Sequence, residues 1–279
     1  MRRMSDRPDL LVGFDSAWTA NNSGAIVPLL RNSDGRFIEF GEPAIADFDS
    51  ATRMLWDWQK NENPSSTLIL IDQPVVVTNK TGQRPIERIV SSAVCKRRGG
   101  MQPANTSKSK MFGPGSPIHL FLERFDAIET YPVQIMMALG WVLEDERSCG
   151  RLPKYNLANR RKFRYDDWQF VCDRVIQEFE RRNLRLLCSF LNELKSNPQP
   201  RKHHQDQLDA CICLLVAIQI SESHPCMVIG SAETGSIVSP YGYELYEELA
   251  GRCGKIGLEP REWIREFSLE QMNTEKAGR

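Results

Sequence analysis

The sequence lacks several features that define common protein classes. Its eight cysteines include no CxxC pair, so a structural zinc site is not expected, and free thiols in a reducing compartment are the simplest interpretation. No apolar run is long enough to span a bilayer, and the first residues have neither the apolar region nor the cleavage pattern of a signal peptide. We find no internal repeat and no low-complexity tract. These absences predict a globular, cytoplasmic protein that does not enter a membrane.

Two short apolar runs each end in an aspartate. Asp15 closes residues 10–15 and Asp72 closes residues 68–72, and runs of this length that are rich in Leu, Ile and Val are typical of buried strands. A carboxylate at the last residue of such a strand lies at the edge of the sheet, where α/β proteins usually place their sites. The alternative is that each aspartate is simply a polar residue that ends a strand.

A third acidic segment lies on the predicted apolar helix of residues 205–220. Asp206 and Asp209 are three residues apart and therefore share a face, although they could also form an ordinary surface pair. Asp209 borders the apolar face of this helix, whereas Asp206 is near the helix start, where an acid also favours the helix dipole. If these residues meet the two strand-end aspartates, the cluster repels itself unless cations hold it together.

The formal net charge is +0, but the basic residues are concentrated in two segments. Residues 96–110 and 151–164 each carry several Lys or Arg and no acid. Basic segments that flank an acidic metal site would suit a polyanionic substrate such as nucleic acid. The alternative is that both segments are solvated loops.

The order of predicted elements indicates an α/β fold with a mixed sheet flanked by helices, because an antiparallel meander is followed by crossover connections. A long loop is expected over residues 97–117. The predicted strands are 10–15, 24–30, 36–41, 67–72 and 127–131, with a terminal hairpin at 226–230 and 235–238. The predicted helices are 47–59, 85–95, a helix from 133, 166–194, 205–220 and 243–249.

Six motifs in this order carry a resemblance to a known superfamily. They are GFDSAW (13–18), IDQP (71–74), RPIER (84–88), ETYP (129–132), QDQLDA (205–210) and ETGSIVSP (233–240). The chain resembles the ribonuclease H-like superfamily and, more closely, an uncharacterised family of predicted nucleases with that fold. The resemblance implies a mixed five-stranded sheet with helical and loop insertions over residues 9–242, followed by a C-terminal helical extension over 243–279.

The resemblance also implies catalysis by two divalent cations, Mg²⁺ or Mn²⁺, held by carboxylates. Asp15 would bridge both ions, Asp72 would match the acid that closes the fourth strand, and Asp209 or Asp206 would match the acid on the last core helix. Glu129 matches a recurring glutamate of the narrower family and is either a ligand or the buried partner of an arginine. Magnesium prefers oxygen ligands, and a pair of such ions activates water and neutralises the leaving oxygen.

Basic residues near these motifs are candidate contacts for nucleic acid. Arg84 and Arg88 are four residues apart on a predicted helix and could bind phosphate, although Glu87 could pair with one of them. Whether the substrate is DNA or RNA stays open, as does the oligomeric state. The full set of predicted contacts is Arg84, Arg88, Lys96, Arg97, Arg98 and Lys154.

The leading hypothesis is therefore a metal-dependent nuclease. The first alternative is a catalytically silent protein of the same fold that binds nucleic acid or acts as a scaffold. The second is an ATP-dependent phosphotransferase, but Ser16-Ala-Trp18 follows the first strand where that activity would favour a glycine-rich phosphate loop.

Overall fold

A mixed sheet of six strands is built from the apolar runs of the first half of the chain. In this computed structural model, which describes residues 9–20 and 22–269, the strands follow the order β3-β2-β1-β5-β6, and β4 also pairs with β2. β1 is antiparallel to β2 and parallel to β5, and β5 is parallel to β6. The strands are β1 (Asp9–Asp15), β2 (Gly24–Arg31), β3 (Phe37–Ile38), β4 (Ala44–Ala46), β5 (Ser66–Ile71) and β6 (Ala127–Glu129).

The predicted α/β class with a mixed sheet between helices is confirmed, but the sheet has six strands and not the predicted five. The additional strand is β4, whose three residues are too few to produce a recognisable alternation of apolar and polar residues. The helices are α1 (Phe48–Glu62), α2 (Pro85–Lys96), α3 (Ser109–Phe112), α4 (Pro117–Leu122), α5 (Pro132–Ala138), α6 (Tyr165–Glu180), α7 (Arg185–Ser196), α8 (Lys202–Ser221), α9 (Tyr243–Lys255) and α10 (Pro260–Trp263).

The two faces of the sheet pack against different helices. Side chains of β1 alternate between them: Leu10, Val12 and Phe14 pack with α1 and α4, whereas Leu11 packs on the side of α8. Because α8 lies between this sheet face and α6, nearly all of its residues are buried. Among the described residues, no helix combines the length and the apolar character needed to cross a bilayer.

The single helix predicted over residues 166–194 is wrong: the structure has two helices, α6 and α7. Asn183, between them, adopts a left-handed backbone conformation with φ 57°. The chain reverses there because the apolar faces of both helices are buried in one core cluster, where Val175 and Leu187 are fully buried. No glycine or proline marks this break, which explains why the sequence pattern predicts one continuous helix.

A second, three-stranded antiparallel sheet has the order β8-β7-β9. It contains the predicted hairpin, β7 (Cys226–Ser231) and β8 (Gly235–Pro240), together with β9 (Ile264–Glu266), which pairs with β7. The predicted extension from residue 243 thus supplies a strand as well as helices, and α9 packs against α2. Its residues 270–279 lie outside the described residues.

Gly13 sets the separation between β1 and α8. A Cβ added at this position would lie 2.1 Å from the Ala210 carbonyl oxygen and 2.5 Å from the Leu214 nitrogen. Both are backbone atoms, so a rotamer change cannot relieve the overlap. The absence of a side chain at Gly13 therefore lets α8 approach the strand that ends in Asp15.

Substituting Gly13 with alanine should destabilise the protein by about 1–3 kcal/mol or more, because α8 has to move away from β1. Urea unfolding measures this change. Gly251→Ala is the matched control: Gly251 lies inside α9 with nothing within 4 Å of its added Cβ, so alanine there should stabilise by roughly 0.5–1 kcal/mol. An unchanged unfolding midpoint for Gly13→Ala would show that the close approach is not required.

Candidate functional site

Asp15 and Asp72 lie side by side at the ends of two neighbouring parallel strands. The register pairs Phe14 with Ile71, so the next position on each chain is an aspartate. The Asp72 amide continues the pairing by donating a hydrogen bond to the Phe14 carbonyl at 2.8 Å. Side chains alternate along strands, so both aspartates face α8, and neighbouring strands are only about 4.8 Å apart.

α8 brings Asp206 and Asp209 to the same place. Both side chains are buried, and Asp209 is held from two sides: Tyr155 donates its hydroxyl to Oδ1 at 2.7 Å, and Gln205 donates its amide to Oδ2 at 3.1 Å. Asp206 accepts a hydrogen bond from the ammonium group of Lys202 one turn earlier. The structure therefore brings together the four aspartates that were predicted from the sequence.

The carboxylates perturb one another. Burial raises the pKa of Asp15 well above its usual range, and the charges of Asp209 and Asp72 raise it further. Burial and Asp209 likewise raise the pKa of Asp72. Burial raises the pKa of Asp209 to about 6, although Lys202, Tyr155 and Gln205 act to lower it. Mutually repelling buried carboxylates are stabilised by protons or by cations, so this cluster is chemically suited to a positive ion.

The protein already provides one cation. Burial disfavours charge on Lys202, but Asp15 and Asp206 outweigh it, and the pKa of this lysine is raised. Among the described residues, no group of three or more His, Cys, Asp or Glu is arranged to hold a metal ion, and Asp206 and Asp209 bond protein donors instead. The carboxylates of Asp15 and Asp72 accept no hydrogen bond from any residue that the structure describes. Carboxylate oxygens are the kind of ligand that hard divalent cations prefer.

Comparison with known proteins gives no relative. No family model, no curated protein and no solved structure matches this chain. The function therefore has to be inferred from the geometry and charge of the site.

Glu129 lines the same cavity as the four aspartates, and its charge contributes to the raised pKa of Asp72. It differs from them in being paired with an arginine, and the sheet register aligns it with Ile71. Arg84 donates two hydrogen bonds to it at 2.8 and 2.6 Å and a third, through Nε, to Glu87 at 2.8 Å. Of the two predicted roles of Glu129, the buried partner of an arginine is the one the structure describes. Arg84 is itself 1% exposed, which leaves it no surface for the predicted phosphate contact.

The other predicted basic contacts divide into two groups. Lys96 and Arg97 both pair with Glu248 of α9, at 3.3 and 2.6 Å, and Arg88 is exposed on α2. Arg98 and Lys154 lie closer to the aspartates, since both line a cavity that Asp72 and Asp209 also line. Only this second group is placed to meet a substrate at the carboxylates.

Two adjoining cavities meet at the carboxylates. One, of about 610 Å³, is lined by all four aspartates. The other, of about 370 Å³, is lined by Asp72 and Asp209 and also by basic residues, among them Arg98 and Lys154. Both volumes fall within the range of small-ligand sites.

Several residues of this site were not predicted from the sequence. Lys202 and Gln205 stand four positions before Asp206 and Asp209 on the same helix, and this spacing could have identified them. Tyr155 contacts Asp209 across 54 positions, and no local pattern indicates such a contact.

Proposed function

We propose that this protein is a metal-dependent nuclease of the ribonuclease H-like superfamily that hydrolyses phosphodiester bonds with Mg²⁺ or Mn²⁺. The observation that carries the proposal is the convergence of Asp15, Asp72 and Asp209, from three remote segments, on one buried cluster. The sheet supports it too, because an antiparallel meander continued by two parallel strands is the arrangement that the resemblance implies.

The chain's own residues have distinct parts in this proposal. Asp15, Asp72 and Asp209 would hold the ions, and Asp206 would join them. When bound, a pair of divalent cations supplies an activated water and neutralises the leaving oxygen. Tyr155 and Gln205 fix the orientation of the Asp209 carboxylate through their two hydrogen bonds. Lys202 holds Asp206 and lowers the repulsion within the cluster.

In this proposal Glu129 positions the chain that follows Asp72 and does not act as a metal ligand. Besides Arg84, it accepts a hydrogen bond from the Val75 amide at 3.1 Å, and Arg84 donates to the Val76 carbonyl at 3.1 Å. The pair therefore fixes the segment that follows Asp72. A fixed segment keeps the Asp72 carboxylate at the end of β5.

Incubation of the purified protein with end-labelled DNA and RNA, both single-stranded and duplex, tests the proposal. We expect cleavage with Mg²⁺ or Mn²⁺ and none with a chelator, because the carboxylates need the ions to act. Calorimetry with Mn²⁺ should detect binding in the same preparation. Oligonucleotide binding with neither Mn²⁺ binding nor cleavage would favour the silent binding protein, and ATP binding would favour the phosphotransferase.

A further inference from the structure

The smaller cavity beside the carboxylates has a chemically mixed lining. Its lining includes the basic residues Arg98, Lys154 and Lys162 as well as Asp72 and Asp209. Its remaining lining includes apolar side chains, among them Val133, Leu152 and Met136. A nucleotide combines an anionic phosphate with a base whose flat faces can stack on apolar side chains. The volume of about 370 Å³ lies within the range of small-ligand sites.

The two lysines that line the cavity have no ion-pair partner among the described residues. They are Lys154 and Lys162, whereas Arg98 pairs with Asp145 at 2.8 Å. The Lys154 ammonium group donates a hydrogen bond to the Arg98 carbonyl, which holds it at the cavity. Burial, then the charges of Lys162 and Arg151, lower the pKa of Lys154. Crowded cations of this kind gain from an incoming anion.

Access to the carboxylates is restricted. Asp15 is 6% exposed and Asp209 is 4% exposed, so a phosphodiester has to enter the cavities to reach them. The backbone of a duplex is tied to its partner strand, and placing one nucleotide in a pocket requires unpairing and unstacking that cost a few kcal/mol. A single strand enters without that cost.

We propose that this cavity is a nucleotide subsite for single-stranded nucleic acid, in which Lys154 and Lys162 contact the phosphate next to the scissile one. The apolar residues of the lining receive the attached nucleoside. The proposal rests on the proposed nuclease function and narrows its substrate to single strands and frayed ends.

Fluorescence anisotropy in chelator tests the subsite without any cleavage. The probes are labelled twelve-residue oligo(dT) and oligo(U), each alone and paired with its complement, titrated with the full chain at low salt. We expect at least one single strand to bind about tenfold or more tightly than its duplex, a difference of about 1.4 kcal/mol. Lys162→Ala should weaken that binding several-fold, and Lys154→Ala/Lys162→Ala should weaken it further.

The experiment tests the charge of the two lysines. One control therefore keeps the charge at the same position, and another removes a lysine far from the cavity. Each lysine lost should reduce the salt slope of single-strand binding by about 0.7. Lys162→Arg, which keeps the charge, should retain most of the affinity. Lys60→Ala, at the exposed end of α1, should bind as the parent does. Thermal melting checks that the variants fold, and Lys162 forms no hydrogen bond among the described residues, so its loss should not disturb the fold.

The outcomes separate the two proposals. Equal or tighter duplex binding, or unchanged binding by the double lysine variant, overturns the subsite even if the protein cleaves nucleic acid. Lysine-dependent preference for single strands without any metal-dependent cleavage supports the subsite and overturns the nuclease.

Discussion

Asp15→Asn should reduce metal-dependent cleavage by at least about a thousandfold, equivalent to about 4 kcal/mol of transition-state stabilisation. Asp15 lies beside Asp72 of the neighbouring strand, and the charge of Asp209 on α8 acts on it. An amide of the same shape cannot supply a second negative oxygen to a divalent cation. Single-turnover cleavage of a labelled oligonucleotide at saturating Mn²⁺ measures the loss.

Asp9→Asn is the matched control for this substitution. Asp9 is at the opposite end of β1, where its carboxylate accepts hydrogen bonds from Ser65 and Ser66 at 2.6 and 2.7 Å. Cleavage by this variant should stay within a factor of a few of the parent. If Asp15→Asn cuts as fast as the parent, the assignment of the metal site fails.

The Asp15→Asn variant should also be more stable than the parent in chelator at pH 8. The folded-state pKa of Asp15 is raised, so above that pKa the parent bears an unfavourable buried charge that asparagine lacks. As the pH falls through the folded pKa values, of which that of Asp209 is about 6, the parent binds protons and the difference shrinks. Below the usual aspartate pKa of 3.8 the difference is absent. A lower melting temperature than the parent at pH 8 would contradict the charge repulsion.

Arg84→Met should destabilise the folded protein by about 3–5 kcal/mol, the largest stability effect that we expect. Arg84 is the shared partner of Glu129 and Glu87, and the side chains of all three are at most 3% exposed. Removing the guanidinium leaves two buried carboxylates without their common counter-charge. Urea unfolding at pH 7 measures the effect.

Arg88→Met is the control for the loss of a basic residue from the same helix. Arg88 lies one turn further along α2 with an exposed side chain, so its substitution should change the stability by no more than about 0.5 kcal/mol. Adding Glu129→Gln to Arg84→Met should restore part of the loss, because one of the two uncompensated charges is removed. Equal midpoints for Arg84→Met and the parent would show that the buried ion pairs add no net stability.

The parts of the site that lie on regular elements could be predicted from the sequence. Asp15 and Asp72 are found at strand ends because each closes an apolar run, and the parallel pairing of those strands follows from the intervening helix α1. Asp209 follows from its border position on α8. In each case a local pattern carries the information.

What could not be predicted depends on register and on distant pairing. Glu129 closes a short strand as Asp72 does, yet the register aligns it with Ile71 and not with Asp72. Its pairing with Arg84 joins residues 45 positions apart and leaves no periodic signal. The turn at Asn183 is likewise set by how α6 and α7 pack, and its only local mark is the asparagine itself, which tolerates a left-handed backbone.

The Lys202 ammonium group has a consequence for how the chain folds. Because it sits among the aspartates, the folded chain carries an internal counter-ion from the moment α8 forms. Folding need not wait for divalent ions, unlike in small domains that collapse only around their metal. If the protein binds divalent ions as proposed, a newly made chain can fold first and bind them afterwards.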